Sequence, residues 1–82
     1  MNVLEKLEEF VKEHFEIGDD PDFGLDVNLF DEGFVDSLGA TEIVYFVEET
    51  FGLKITQKDI ILYPMNTVRE IAQVVENKLA EN

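Results

Sequence analysis

Apolar residues recur along most of this chain at the spacing of an α-helix and form no convincing strand, which points to an all-helical fold. Val3, Leu4, Leu7, Phe10, Val11 and Phe15 form one stripe, with Glu5, Lys6, Glu8, Glu9, Lys12 and Glu13 between them. That period predicts a first helix over residues 2–15. A second, over 37–51, places Ala40, Ile43, Val44, Val47 and Phe51 on one side and stops at Gly52. Two capping-box patterns follow. "TQKD", Thr56 to Asp59, predicts a short third helix that Pro64 ends. "TVRE", Thr67 to Glu70, opens a last helix with Val68, Ile71, Ala72, Val75 and Leu79 on one face. The expectation is a small four-helix bundle, three long helices and one short, forming a single domain over residues 1–82. A chain this short buries only about 60% of its unfolded surface, so a deep enclosed active site is not expected.

A long loop joins the first two helices. "EIGDDPDFGLDVNLFDEGFVD", residues 16–36, is punctuated by Gly, Pro and Asp. Loops of this length in compact domains are uncommon and tend to carry function. Phe23, Leu25, Leu29, Phe30 and Phe34 are expected to pin it to the core. The loop also supports an alternative reading, an acidic calcium-binding domain using residues 20–31. Asp20, Asp22, Gly24, Asp26, Asn28 and Asp31 occupy positions 1, 3, 5, 7, 9 and 12 of an EF-hand-like loop. The ligand set is defective: Gly24 stands at a ligand position, Leu25 where the turn needs Gly, and Asp31 where a bidentate Glu belongs. Pro21 interrupts it further, so no specific metal site is expected.

Charge narrows the function. The formal net charge is −13, and Glu13 to Leu53 holds twelve Asp or Glu with no Lys or Arg. Such a surface repels nucleic acid and anionic lipid and steers basic partners. With no Cys there is no disulfide framework and no thiolate zinc site. No apolar run approaches the roughly 20 residues of a membrane span, and the first residues do not read as a signal peptide. A cytoplasmic monomer is expected, with no membrane insertion.

The second helix carries the informative geometry. Opposite its apolar side, Leu38, Glu42, Tyr45 and Glu49 share one outward stripe, with Thr41, Phe46 and Glu48 on the flanks. Acid supplies steering and an exposed aromatic supplies contact area, the makings of a partner surface. Ser37, the only serine, begins this stripe. As an N-cap its oxygen would accept a bond from an N–H of the first turn. A helix N-terminus also favours a phosphate, and a hydroxyl there is within reach of a modifying enzyme. Asp36 is poorly placed as its base, and the only His, His14, is expected to pack beside the apolar face of the first helix. A hydrolase would lack an orienting third group and a pocket.

"DEGFVDSLG", followed by an amphipathic acidic helix, resembles the acyl carrier protein family, whose signature falls here on Asp36-Ser37-Leu38. The resemblance covers essentially the whole chain. It implies a carrier rather than an enzyme, with 4′-phosphopantetheine from coenzyme A joined to the Ser37 hydroxyl by a phosphodiester. Asp36 and Leu38 would flank the attachment. Acyl or aminoacyl groups would ride on the arm as thioesters, in fatty acid or lipid, cell-envelope or secondary-metabolite biosynthesis. The second helix would be the recognition helix, with Leu38, Glu42, Tyr45, Glu48 and Glu49 meeting partners. Those partners would be a phosphopantetheinyl transferase, a loading ligase and acyltransferases with basic docking surfaces. Fatty-acid synthase carriers usually have an acidic residue after the signature, where this chain has Gly39. "LFDEGFVDSLG" is similar instead to stand-alone carriers of the D-alanyl carrier type. The family core can shelter an acyl chain, for which Phe10, Phe15, Phe30, Phe34 and Phe51 are expected to leave little room.

Overall fold

The computed structural model describes residues 2–81. It contains four helices: α1 Val3–His14, α2 Ser37–Phe51, α3 Gln57–Leu62 and α4 Val68–Ala80. The described residues include no strand. Each helix begins where a side chain can satisfy its first free N–H groups. Asn2 Oδ1 accepts from Glu5 N–H at 2.8 Å and starts α1. Both capping boxes form: Thr56 and Asp59 exchange bonds at α3, and Thr67 and Glu70 do so at α4. Gly52 ends α2 in a left-handed conformation, φ 66°, which a side chain would strain, and its N–H donates to the Glu48 carbonyl.

The core forms where the apolar stripes meet. α1 packs against α4. Leu7 and Val11 of α1, Ile43 and Val47 of α2, and Val68, Ile71, Ala72 and Val75 of α4 are buried, joined by Leu29, Val35 and Leu53 from the connections. Leu7 and Leu29 are completely enclosed; burying a side chain of that size contributes about 1.5–3 kcal/mol. The pattern departs from expectation at a few positions. Ala40, Val44 and Phe51 are only half-buried. Leu79 lies in the last turn of α4 and remains 38% exposed. Val74, off the expected face, is buried instead, because α4 also receives α3: Val74 borders Asp59 and Tyr63.

The long loop is held by its backbone as much as by its side chains. Leu29 N–H donates to the Asn66 carbonyl at 2.9 Å, and the Leu29 carbonyl accepts from both Phe34 and Val35. Arg69 N–H donates to the Leu25 carbonyl, and the Arg69 guanidinium pairs with Asp26 at 2.7 Å. Phe23, Leu25 and Phe34 pack against the core as expected, but Phe30 is 37% exposed and does not pin the loop. These bonds tie the loop to the start of α4, and they deliver Asp36 to the start of α2.

Candidate functional site at the start of helix α2

The N-cap of α2 is Asp36, not Ser37. Asp36 is extended, φ −108° and ψ −173°, and its Oδ1 accepts from Gly39 N–H at 2.8 Å. The neighbouring residue Val35 is 4% exposed and locked into the core, so the chain can turn into a helix only after it. Asp is as good a cap as Ser, and it is the first residue free to serve. Ser37 becomes the first helical residue and is exposed. Its hydroxyl is therefore not needed to cap the helix.

Gly39 fixes the seat of this turn. It is buried, and a Cβ there would lie 2.7 Å from Phe15 Cε1 and 3.0 Å from Val35 Cγ1. The first turn of α2 thus rests directly on the end of α1 and on the anchored loop. A glycine two residues after the serine is the sequence signal for this close approach.

The outward stripe is where the helical period puts it. Leu38 is 72% and Tyr45 65% exposed, and Glu42 and Glu49 are exposed as well. Glu48 differs. It is half-buried, and its Oε2 accepts from Ile55 N–H at 2.9 Å, tying down the connection that follows α2. His14 stacks on Phe10 and meets Phe15 edge-on, as a packing residue would, yet it remains exposed. Its Nε2 lies 3.3 Å from Glu42 Oε2, a contact across α1 and α2 that no local pattern announces.

A cavity of about 260 Å³ lies between α2 and α3, lined by Ile43, Val44, Ile60, Tyr63, Met65 and Ile71 among others. Of the five aromatic residues expected to crowd it, only Phe30 reaches its wall. The others spend their bulk between α1 and α2 or under the loop. The outer wall is α3, which buries no residue of its own. It is held to α4 by Asp59 and Lys78, 2.7 Å apart and largely shielded from solvent. The hydrogen bond from Lys78, then that from the Thr56 backbone, lower the Asp59 carboxyl to about 2. The same hydrogen bond raises Lys78.

The calcium ligands of the alternative reading do not converge. Asp20 accepts from Asp22 N–H, Asn28 from the N–H groups of Phe30 and Asp31, and Asp26 is paired with Arg69. Among the described residues no three His, Cys, Asp or Glu come together to hold a metal ion. Nor is any described helix long and apolar enough to cross a membrane.

What the start of α2 does offer suits 4′-phosphopantetheine. An exposed primary hydroxyl stands on the first helical residue, at the positive end of a helix of 15 residues. A phosphodiester there would meet the N–H groups and dipole of the helix end. Comparison with known proteins bears on the family and the group it carries. The family described as "Phosphopantetheine attachment site" matches residues 5–75. A D-alanyl carrier protein of Abiotrophia defectiva is 36% identical over 56 residues, 68% of this chain and 71% of the relative. Those of Streptococcus pyogenes serotype M5 (strain Manfredo) and serotype M49 (strain NZ131) are 40% identical over 52 residues, 63% of this chain and 66% of each relative. No solved structure matches. The chain belongs to the phosphopantetheine attachment-site family, and it is a carrier protein rather than a catalyst.

Proposed function

We propose that residues 1–82 act as one carrier domain, with 4′-phosphopantetheine joined to the Ser37 hydroxyl, and that the domain delivers a small aminoacyl group. The observation that carries this reading is the division of labour at the helix start: Asp36 caps, and Ser37 is left exposed. Bound there, the group supplies a thiol on a flexible arm, on which cargo is held as a thioester. Asp36 keeps the first turn formed. The N–H groups of Ser37 and Leu38, first in the helix, point out of its end toward the phosphate position. Leu38 offers an apolar contact beside the attachment point. Glu42 and Glu49 steer basic partners, and Tyr45 adds contact area. Glu48, engaged with Ile55, contributes charge more than contact.

The partners in this reading are a phosphopantetheinyl transferase drawing on coenzyme A, an adenylate-forming ligase and a downstream acyltransferase, all in the cytoplasm. The relatives named D-alanyl carrier proteins favour an aminoacyl cargo and a cell-envelope pathway. A second reading, an acyl chain destined for lipid, is favoured by the apolar cavity between α2 and α3. Intact mass of the protein taken from its native cell separates them. The expected result is an added mass on the peptide holding Ser37, part of it released by hydroxylamine as an amino acid derivative. A fatty acyl hydroxamate would establish the second reading, and an unmodified Ser37 would contradict both.

A further inference from the structure

Ser37 stands between two recesses. Ala40 and Val44, three and seven residues on, border the cavity between α2 and α3. Thr41, Tyr45 and Glu49, at successive steps of four, line a groove of about 490 Å³ between α1 and α2. Residues four apart are neighbours on one helix face, so Ser37, Thr41, Tyr45 and Glu49 form a continuous row. Thr41 Oγ1 donates to the Ser37 carbonyl at 3.2 Å and is the first step along it. Phe10 and Phe46, stacked with ring centroids 3.9 Å apart, make an apolar floor beside the row. Tyr45 is 65% exposed, and the exposed Glu49 stands at the far end. Among the described residues no Lys or Arg lines this groove, and Glu49 has no ion-pair partner.

The row matches the reach of the arm. Residues rise about 1.5 Å each along a helix, which puts Glu49 about 18 Å beyond Ser37. The chain of 4′-phosphopantetheine is comparable to about five extended residues, roughly 16 Å, and an aminoacyl group adds about one more. With the arm laid along the row, the α-ammonium of that group comes to Glu49.

Charge decides between the two recesses. The cavity between α2 and α3 presents Ile43, Val44, Ile60 and Met65, and no carboxylate lines it. An ammonium buried there would give up its water without gaining a counter-charge. The groove offers the same ammonium a carboxylate at a hydrated rim, and an apolar floor for the methylene groups of the arm. We propose that an aminoacyl group carried on the arm rests in the groove between α1 and α2, its thioester over Tyr45 and its α-ammonium against Glu49, whereas an uncharged acyl group does not. The inference rests on the carrier reading of Ser37 and deepens it by naming where a charged cargo lies. A weak contact is enough. A short tether holds the cargo at about millimolar effective concentration, so an intrinsic dissociation constant of about a millimolar fills the groove half the time.

The test uses two coenzyme A analogues in which an amine replaces the thiol and is acylated with alanine or with propionate. The two cargoes differ only in the ammonium. A promiscuous phosphopantetheinyl transferase attaches each arm, intact mass verifies the attachment, and NMR shifts and arm-to-protein NOEs are recorded at about pH 6.5, where an α-ammonium keeps its proton. The alanyl form should shift Thr41, Tyr45, Phe46 and Glu49 and show NOEs to the Tyr45 ring, and the propionyl form should show these effects at least threefold smaller. Glu49→Gln should reduce the alanyl effects about threefold, the weight of an exposed ion pair. Glu76→Gln, which removes an exposed carboxylate from α4 outside the groove, should leave them unchanged. Circular dichroism checks that both variants fold. Equal shifts from the two cargoes, alanyl shifts on Ile60, Met65 and Ile71, or equal losses in the two variants would overturn the proposal while leaving Ser37 as the attachment point. A protein that mass shows to be unmodified at Ser37 would overturn the carrier reading and this inference with it.

Discussion

Asp36 caps α2, and the Ser37 side chain beside it is left exposed. Both are good caps, and the sequence alone favours neither. The choice is made by Val35, whose burial fixes the last loop residue and leaves Asp36 in the extended conformation a cap requires. That tertiary fact is invisible to local pattern, which is why a cap at Ser37 misses the true cap by one residue. Asp36→Ala should cost about 1 kcal/mol in denaturant unfolding, and Asp36→Asn much less, because the amide oxygen still accepts. Gly39 makes a sharper prediction. Any Cβ meets Phe15 and Val35, and both belong to the packed interior. Gly39→Val should destabilise by about 1–3 kcal/mol, read from the urea midpoint, and should tilt the start of α2. The glycine was legible as a departure from one carrier type; the contact that demands it was not.

At the scale of elements, α3 is the least secured helix. It buries no residue, and it exposes Ile60, Ile61 and Leu62, as does Tyr63 just after it. Its capping box was legible because it is written in four consecutive residues. The Asp59–Lys78 contact was not, since nothing local links residues so far apart in the chain. Asp59 is held at about 2 against its ordinary 3.8, so its contribution is complete above about pH 3.8 and is lost as pH falls through about 2. Amide exchange of α3 should accelerate over that window, while α1 and α4 keep their protection longer. Lys78→Met should give the same fast exchange at neutral pH. Unchanged exchange would mean that the capping box alone holds the helix. The outward face of α2 makes a separable claim. Charge reversal at Glu49 should slow association with the transferase or ligase, and raising the salt should slow the wild type similarly, because exposed charges are screened beyond about 8 Å. Tyr45→Ala should chiefly speed dissociation and depend little on salt. Stopped-flow binding at two ionic strengths distinguishes the two effects.

The whole molecule carries a formal charge of −13, with its longest base-free stretch running through the loop and α2. Self-repulsion of that charge opposes compactness. Dilute magnesium or calcium should therefore raise the melting temperature modestly, and higher monovalent salt should do much the same. Strong stabilisation by calcium alone would require a site that the dispersed Asp20, Asp26 and Asn28 side chains do not form. Helix order and number were legible because apolar period and caps agree along the chain. The cavity was not, because where seven Phe side chains spend their volume depends on how the helices meet. In the proposed function the acidic surface, the exposed serine and the capped helix combine in one act, the acceptance of the arm. That act is measured by incubating the protein with coenzyme A, magnesium and a promiscuous phosphopantetheinyl transferase, then recording intact mass and mapping the modified peptide. The account predicts a single phosphopantetheine on Ser37 and none on Ser37→Ala. A wild type that stays unmodified with several transferases, or a Ser37→Ala variant that still takes up the group, would contradict it.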